Sequence, residues 1–279
     1  MLLLAAQASP GRVEAATVDH GLRPESRAEA ETVAAVCAGL GVLHEILAVT
    51  VAPGNLQAEA RGARYAALAE WAERRGLAAI CTAHHADDQA ETLLLRLNRG
   101  SGVAGLAGVR AKGLVPGTRL PLLRPVLDWR RGELAVVVER AGLVAADDPS
   151  NSDARFDRAR IRQVLAGADW LDVAALARSA ANLADAEAAL EWAAAREWSE
   201  NVVTGAMGSY VYQPQAPRAI ALRVVTLLVA RLDGGEPRGG QVAQAFDTLV
   251  KGQPVSLGNV VVRPSHEGWT FMPAPRRRA

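Results

Sequence analysis

The chain has 279 residues, with 31 Lys and Arg against 30 Asp and Glu, a formal net charge of +1, and 50% apolar residues. This balance excludes a disordered chain and fits a soluble, cytoplasmic globular protein of one or two domains with a sizeable core. No apolar run approaches the roughly 20 residues of a membrane span, and the opening Met1–Ala6 lacks the basic flank of a secretory signal.

In chain order, Val13–Val18 reads as a strand that ends at the turn Asp19-His20-Gly21. Pro24-Glu25-Ser26 opens a helix to about Leu40, with Ala30, Val33, Ala34, Cys37 and Leu40 on one face and Gly41 as its stop. His44–Val51 is a second strand, broken by Pro53-Gly54-Asn55, and Leu56–Arg75 a second helix. Leu77–Ala83 is a third strand, apolar enough to be buried on both faces, and a helix follows from about Asp87 to Gly100. Alternating strands and helices of this kind predict a parallel sheet covered on both sides, an α/β fold of Rossmann-like type.

Residues 101–125 read as loop, Arg130–Ala141 as helix, Asp147–Asp153 as loop and Phe156–Leu165 as a short Arg-rich helix. A long Ala-rich helix covers Trp170–Trp198. Beyond it Ser209–Tyr212, Val255–Val262 and Trp269–Met272 look like strands, Arg218–Arg231 and Gln241–Val250 like helices, and the tail from Pro273 is expected to be disordered. The expected organisation is a catalytic domain over 1–165, a connecting helix over 166–200 and a smaller, mostly helical domain over 201–279. Cys37 and Cys81 lack C-x-x-C spacing and are expected to be small buried thiols.

Charge is unevenly spread. Residues 1–100 hold 9 basic and 12 acidic groups, whereas 101–165 hold 11 and 7. A basic middle segment behind an acidic one predicts a locally bound anionic partner. Only Lys112 and Lys251 are lysines, so basic sites are planar arginine forks suited to phosphate and carboxylate.

The densest polar cluster is Thr82-Ala83-His84-His85-Ala86-Asp87-Asp88-Gln89-Ala90-Glu91-Thr92, where a buried strand meets a helix start. Ligands of open α/β sheets bind outside the carboxyl ends of strands. Acids in a helix's first turn complement its dipole, which accounts for one or two carboxylates but not for two histidines and three carboxylates together. Asp19-His20-Gly21 forms a second polar strand end, expected to share one cleft with the first.

These residues resemble the tRNA(Ile)-lysidine synthetases, within the N-type ATP pyrophosphatases. The matching segments run in family order: Val18–Arg23; Gly54–Arg61 with Arg64-Tyr65; Ala83–Thr92 continuing to Arg96-Leu97 and Arg99–Gly102; Arg124-Pro125; and Asp148–Asp153 leading into Arg158–Arg162. The last 80 or so residues match more loosely. The resemblance implies that ATP adenylates C2 of the wobble cytidine of tRNA(Ile) and releases pyrophosphate, and that the ε-amine of free L-lysine then displaces AMP. It implies that Asp87, Asp88 and Glu91 hold a metal or the lysine ammonium, with Mg²⁺ on Asp87 and Asp88. His84, His85, Asp19, His20 and Gly21 would line the nucleotide site. Arg64 and Arg162 would contact phosphate or the lysine carboxylate. Arg158, Arg160 and Arg162 are also candidates for the tRNA backbone, whereas Arg61 reads better as a solvated helix face. A homodimer is an assembly open to such a protein.

The family's phosphate loop, S-G-G-x-D-S after a first strand, is not in this sequence. The chain opens within the apolar helix that follows that loop. Gly100–Gly108 is Gly-rich but follows a helix, so it lacks the context of a nucleotide loop. Either the protein extends upstream by a strand and a loop, or it cannot cradle ATP phosphates; the chain as written is expected to be weak or inactive in ATP–pyrophosphate exchange. Two other functions compete. One is a metal-dependent phosphohydrolase with Asp19, His20, His84, His85, Asp87 and Asp88 as ligands of a two-metal site. The other is an RNA-binding remnant without catalysis.

Overall fold

A computed structural model describes residues 1–21, 25–52, 56–145, 157–235, 237 and 239–274. It divides into two compact units, Met1–Ala184 and Asp185–Ala279.

The first unit opens with α1 (Leu2–Ala8), β1 (Glu14–Asp19), α2 (Ser26–Gly39), β2 (Leu43–Ala48) and α3 (Leu56–Arg75). β1 and β2 pair in parallel from Glu14 opposite Leu43 to Asp19 opposite Ala48. Then come β3 (Ile80–Cys81), α4 (Ala86–Asn98), α5 (Val103–Leu106), β4 (Lys112–Leu114), β5 (Pro121–Leu123), α6 (Arg131–Arg140) and α7 (Asp157–Gly167). β3 pairs with β5 in parallel, and β4 pairs with β5 antiparallel.

The sheet is therefore split. Strands β2-β1 form one half and β3-β5-β4 the other, and among the described residues neither β1 nor β3 has a strand on its second edge. Both halves rest on α3. Tyr65, Trp71 and Ala72 of that helix are buried with Ile80 and Leu122 of the three-stranded half, and Ala16 and Leu47 of the two-stranded half pack against the same cluster.

The split corrects two expectations. The third strand is reduced to Ile80–Cys81, and Cys81 is exposed rather than buried, whereas Cys37 of α2 is buried as expected. Leu77–Ala83 is apolar enough for a central strand, but among the described residues β3 lies at the edge of its sheet, where no neighbouring strand covers it. Helix α1 shows the same effect: its sequence is Leu-Leu-Leu-Ala-Ala-Gln-Ala, yet none of it is buried. The region expected as loop over 101–125 contains α5 and the short strands β4 and β5. The Asp147–Asp153 loop and the tail beyond Ala274 lie outside the described residues.

Helix α8 (Val173–Asn201) carries the chain from the first unit into the second. The second unit adds β6 (Val202–Thr204), β7 (Tyr210–Tyr212), α9 (Arg218–Asp233), α10 (Gly239–Val250), β8 (Val255–Leu257), β9 (Val260–Ser265) and β10 (Gly268–Pro273). The strands form one antiparallel sheet in the order β6-β7-β10-β9-β8. Val255–Val262, which reads as one strand, is folded into two by the turn at Gly258-Asn259, where Gly258 has a φ of +57°. The core of this unit is formed by Val224, Leu228 and Val229 of α9, Val242 and Leu249 of α10, and Tyr212, Val260, Val262 and Phe271 of the sheet. Glu197 of α8 is 6% exposed and fixes the following chain. It accepts hydrogen bonds from the Tyr212 hydroxyl (3.1 Å), the Gln215 and Ala216 N–H groups (2.9 and 3.1 Å) and the Asn201 amide (2.9 Å).

Candidate active site at the strand ends

His85 is in extended conformation and caps α4, and its N–H donates to Asp88 Oδ2 at 3.0 Å. This is the reciprocal half of a capping box, and it explains why the helix begins at Ala86. Asp87 and Glu91 are four residues apart and share one helical face. Two basic elements meet that face. Arg130, which precedes α6, donates to Asp87 through Nε (3.2 Å) and Nη2 (3.3 Å), and the Arg131 N–H adds a third bond at 2.8 Å. Burial alone would raise the Asp87 pKa; the Arg130 guanidinium and the Arg131 N–H outweigh it and hold the carboxyl below the usual range. From α7, Arg162 Nε donates to Glu91 Oε1 at 2.5 Å and Nη2 to Oε2 at 3.3 Å. Glu91 is 3% exposed.

The three acids thus share one helix turn but differ in what they have left. Asp87 engages both oxygens, Glu91 is paired with a guanidinium, and Asp88 spends one oxygen on the backbone. Among the described residues no group of three or more His, Cys, Asp or Glu side chains is placed to hold a metal ion. The two-metal arrangement of a phosphohydrolase is therefore not formed. Of the two acids expected to hold Mg²⁺, only Asp88 has an oxygen without a hydrogen-bond partner among the described residues.

Burial favours the neutral form of His84 and of His20. His84 Nδ1 is 2.9 Å from Thr82 Oγ1. Its pKa is lowered to about 4, first by burial; Asp88 opposes the shift, and the charges of Arg124, Arg61 and Arg158 each add a smaller lowering. His85 lies 3.6 Å from both Asp87 and Asp88. At the end of β1, Asp19 accepts hydrogen bonds from Ser26 Oγ (2.7 Å) and the Gly21 N–H (2.9 Å), which lower its pKa in that order. Gly21 makes that turn at a φ of +61°. His20 Nε2 is 3.4 Å from Arg64 Nη2; burial first and Arg64 second lower its pKa.

One cleft of 1470 Å³ opens beside the β1 end, lined from α1, β1, α2, α3 and α6 with Arg158 of α7. Its polar end carries His20, Arg61, Arg64 and Arg158, and its apolar body is lined by Leu2 and Leu3 of α1, Thr17 and Val18 of β1, Val33 and Val36 of α2, and Val138 of α6. The structure joins the β1 terminus to the α3 arginines, whereas the expected single cleft of the two strand ends is not what lines this cavity: His20 lines it and no residue of Thr82–Thr92 does. It divides the Arg158–Arg160–Arg162 run: Arg158 faces the cleft, Arg160 pairs with Asp157, and Arg162 pairs with Glu91. Arg61 is exposed, as a solvated helix face would be, yet it also lines the cleft and lies over the Tyr65 ring at 5.1 Å.

Two residues were missed by sequence reasoning. Arg130 could have been found, because a guanidinium at a helix N-terminus opposes the dipole and calls for a carboxylate partner. Gln89 is 4% exposed, and its amide grips the backbone of Val109, donating to the carbonyl at 2.8 Å and accepting from the N–H at 2.7 Å. No pattern in the sequence marks that contact.

The chain has relatives among known proteins. Residues 1–168 match the PP-loop domain. The tRNA(Ile)-lysidine synthase of Novosphingobium aromaticivorans is 47% identical over 282 aligned residues, which cover 100% of this chain and 86% of that protein. This chain belongs to the tRNA(Ile)-lysidine synthase family. The member from Zymomonas mobilis subsp. mobilis is 38% identical over 99% of this chain and 85% of its own length. Among solved structures, the U34-tRNA thiolase NcsA from Methanococcus maripaludis, described with its [4Fe-4S] cluster, has a TM-score of 0.50. At 14% identity, covering 62% of this chain and 61% of that one, it shows the fold alone. As a member of the family the chain is a PP-loop α/β protein and a C–N ligase of tRNA modification that uses ATP. Among the described residues no helix is long and apolar enough to cross a membrane.

Proposed function

We propose that the chain attaches free L-lysine to C2 of the wobble cytidine of tRNA(Ile) bearing the CAU anticodon. ATP adenylates the cytidine at C2 and pyrophosphate leaves. The lysine ε-amine then forms the C2–N bond, AMP departs and the amine loses a proton. The observation that carries this reading is the His84–Glu91 turn at the strand ends, in a chain of this family.

The residues present divide the work by what each has free. His84, neutral through burial and surrounding guanidiniums, offers a hydrogen bond to nucleotide or base without adding charge; Thr82 engages Nδ1 and leaves Nε2 without a protein partner among the described residues. Asp19, His20, Gly21 and His85 line the nucleotide side. Asp88, with one oxygen in hand, is the acid best placed to receive the lysine ammonium or a Mg²⁺ that arrives with the phosphates, whose other ligands would be phosphate and water. Arg64 takes a phosphate or the lysine carboxylate. Arg162 acts through Glu91, fixing α7 against α4, rather than by touching substrate.

The N–H groups that cradle the polyphosphate are assigned on this reading to a strand and turn seated between β1 and β3, along the apolar body of the cleft. Support for this comes from the unpaired edges of both strands and from an apolar α1 with nothing buried. The test is incorporation of radiolabelled lysine into tRNA(Ile), with the chain extended by a strand and an S-G-G-x-D-S turn. ATP-dependent incorporation confined to the CAU tRNA is expected. Binding of tRNA(Ile) without AMP formation would replace the reading with an RNA-binding role.

A further inference from the structure

Among the described aromatic residues of the first unit, Tyr65 and Trp71 of α3 are buried, whereas Trp129 is 39% and Trp170 79% exposed. The two exposed rings stand in different surroundings. Trp170 lies in the stretch between α7 and α8, and Trp129 in the connection from β5 to α6. Because β5 is parallel to β3, the chain leaves both strands on the same side of the sheet, the side on which such sheets bind ligands.

The segment Trp129–Arg131 is fixed to the first turn of α4. The Trp129 carbonyl accepts the Ala86 N–H at 2.9 Å. The Arg130 guanidinium donates to both oxygens of Asp87, and the Arg131 N–H adds a third bond to the same carboxylate. The Arg130 N–H is itself taken by Glu133 at 2.7 Å. On the other side Val126 and Leu127 are buried. The backbone of Trp129 is thus held from both directions, while the indole is left out of the packing. Among the described residues its ring stacks on no other ring and its N–H meets no acceptor.

The residue two positions on is also unanswered. Arg131 opens α6 with a cation where the helix dipole favours an anion. It is exposed, and no carboxylate pairs with its guanidinium among the described residues. An open aromatic face near an unanswered guanidinium suits a single-stranded nucleic acid, which offers bases to stack and a negatively charged backbone. An apolar protein surface would cover the ring and leave the charge unmet.

Chemistry on a base requires that it leave its stack, and the energy lost must be recovered elsewhere. We propose that the Trp129 indole is the platform on which the wobble cytidine stacks once it is drawn out of the anticodon loop. The inference rests on the reaction proposed above for the identity of that base.

The experiment measures binding of the labelled anticodon stem-loop RNA of tRNA(Ile) to the complete 279-residue chain by fluorescence anisotropy. A second RNA lacks the base at the wobble position. Trp129→Ala should bind the intact RNA about tenfold more weakly than wild type. Trp129→Phe, which keeps a flat ring, should recover most of the affinity and separates lost stacking from misfolding. Trp170→Ala, which removes the more exposed ring, should bind as wild type does. With the abasic RNA, wild type and Trp129→Ala should bind alike. The platform is overturned if wild type does not bind the intact RNA, or if Trp129→Ala binds it as tightly as Trp170→Ala does. It is overturned equally if Trp129→Phe is as weak as Trp129→Ala, or if the loss persists with the abasic RNA. Trp129-dependent binding without lysine incorporation would count against the reaction and leave the platform standing; lysine incorporation with binding indifferent to Trp129 would do the reverse.

Discussion

Arg162 of α7 reaches across to α4 and donates to both oxygens of Glu91, a carboxylate with 3% exposure. The contact ties the most basic helix of the first unit to the helix that carries the acids. It also changes what both residues do: neither is free for substrate until the other is answered.

Removing one partner of such a pair strands a buried charge. Arg162→Met is therefore expected to destabilise the first unit by about 3 kcal/mol, and Glu91→Gln by less, because the amide remains neutral. In Glu91→Met/Arg162→Met most of the loss should return. Urea denaturation of the single and double variants measures this, and additive losses would contradict it.

The Asp87 carboxyl has a folded pKa below its ordinary 3.8. Its contribution to stability is thus present above that value and lost as pH falls through the lower, folded value. The stability difference between wild type and Asp87→Asn should be constant at neutral pH and shrink in acid below the unfolded value. A difference that does not change with pH would show that Arg130 does not hold the ionised form.

His84 gives the same sign at a higher pH. Its folded pKa of about 4 lies below the ordinary 6.5, so the unfolded chain takes up the proton first. Stability should decline as pH falls from 6.5 toward 4, with no further contribution from this group below that. His84→Gln should lose that part of the decline. NMR titration of the ring reads the same quantity directly, and a midpoint near 6.5 would contradict the burial and the cationic surroundings described.

The Gln89 grip on Val109 can be separated from simple packing. Gly108 has a φ of +65°, and a Cβ there would lie 2.4 Å from Gln89 Oε1. Gly108→Ala is expected to be destabilising through backbone strain and through displacement of the amide. With Gln89→Ala already in place only the backbone part should remain. Thermal denaturation of the four proteins in this cycle gives the coupling, and additivity would show that the amide does not hold the loop.

Much of this was legible in the sequence. Leu56–Arg75 reads as a helix over the same residues that form α3, because its apolar spacing and its Asn–Gly punctuation agree. The strand-end position of Asp19, His84 and Asp87 followed from alternation of two periods. The splitting of the sheet was not legible from Leu77–Ala83. An apolar run states that it can be buried, and only the neighbouring strands decide whether it is. The fates of Asp87 and Glu91 were hidden for a related reason: their partners Arg130 and Arg162 lie 43 and 71 residues away. Local pattern carries no information about which distant guanidinium will arrive.

The central claim is that this cleft activates a tRNA base with ATP. The measurement that tests it most directly is tRNA(Ile)-dependent exchange of labelled pyrophosphate into ATP, run with the 279-residue chain and with a form extended by a strand and phosphate-binding turn. The account predicts exchange by the extended form that requires tRNA(Ile), and weak or no exchange by the shorter chain. Absence of exchange in both forms would contradict the claim, and equal exchange in both would contradict the role given to the space between β1 and β3.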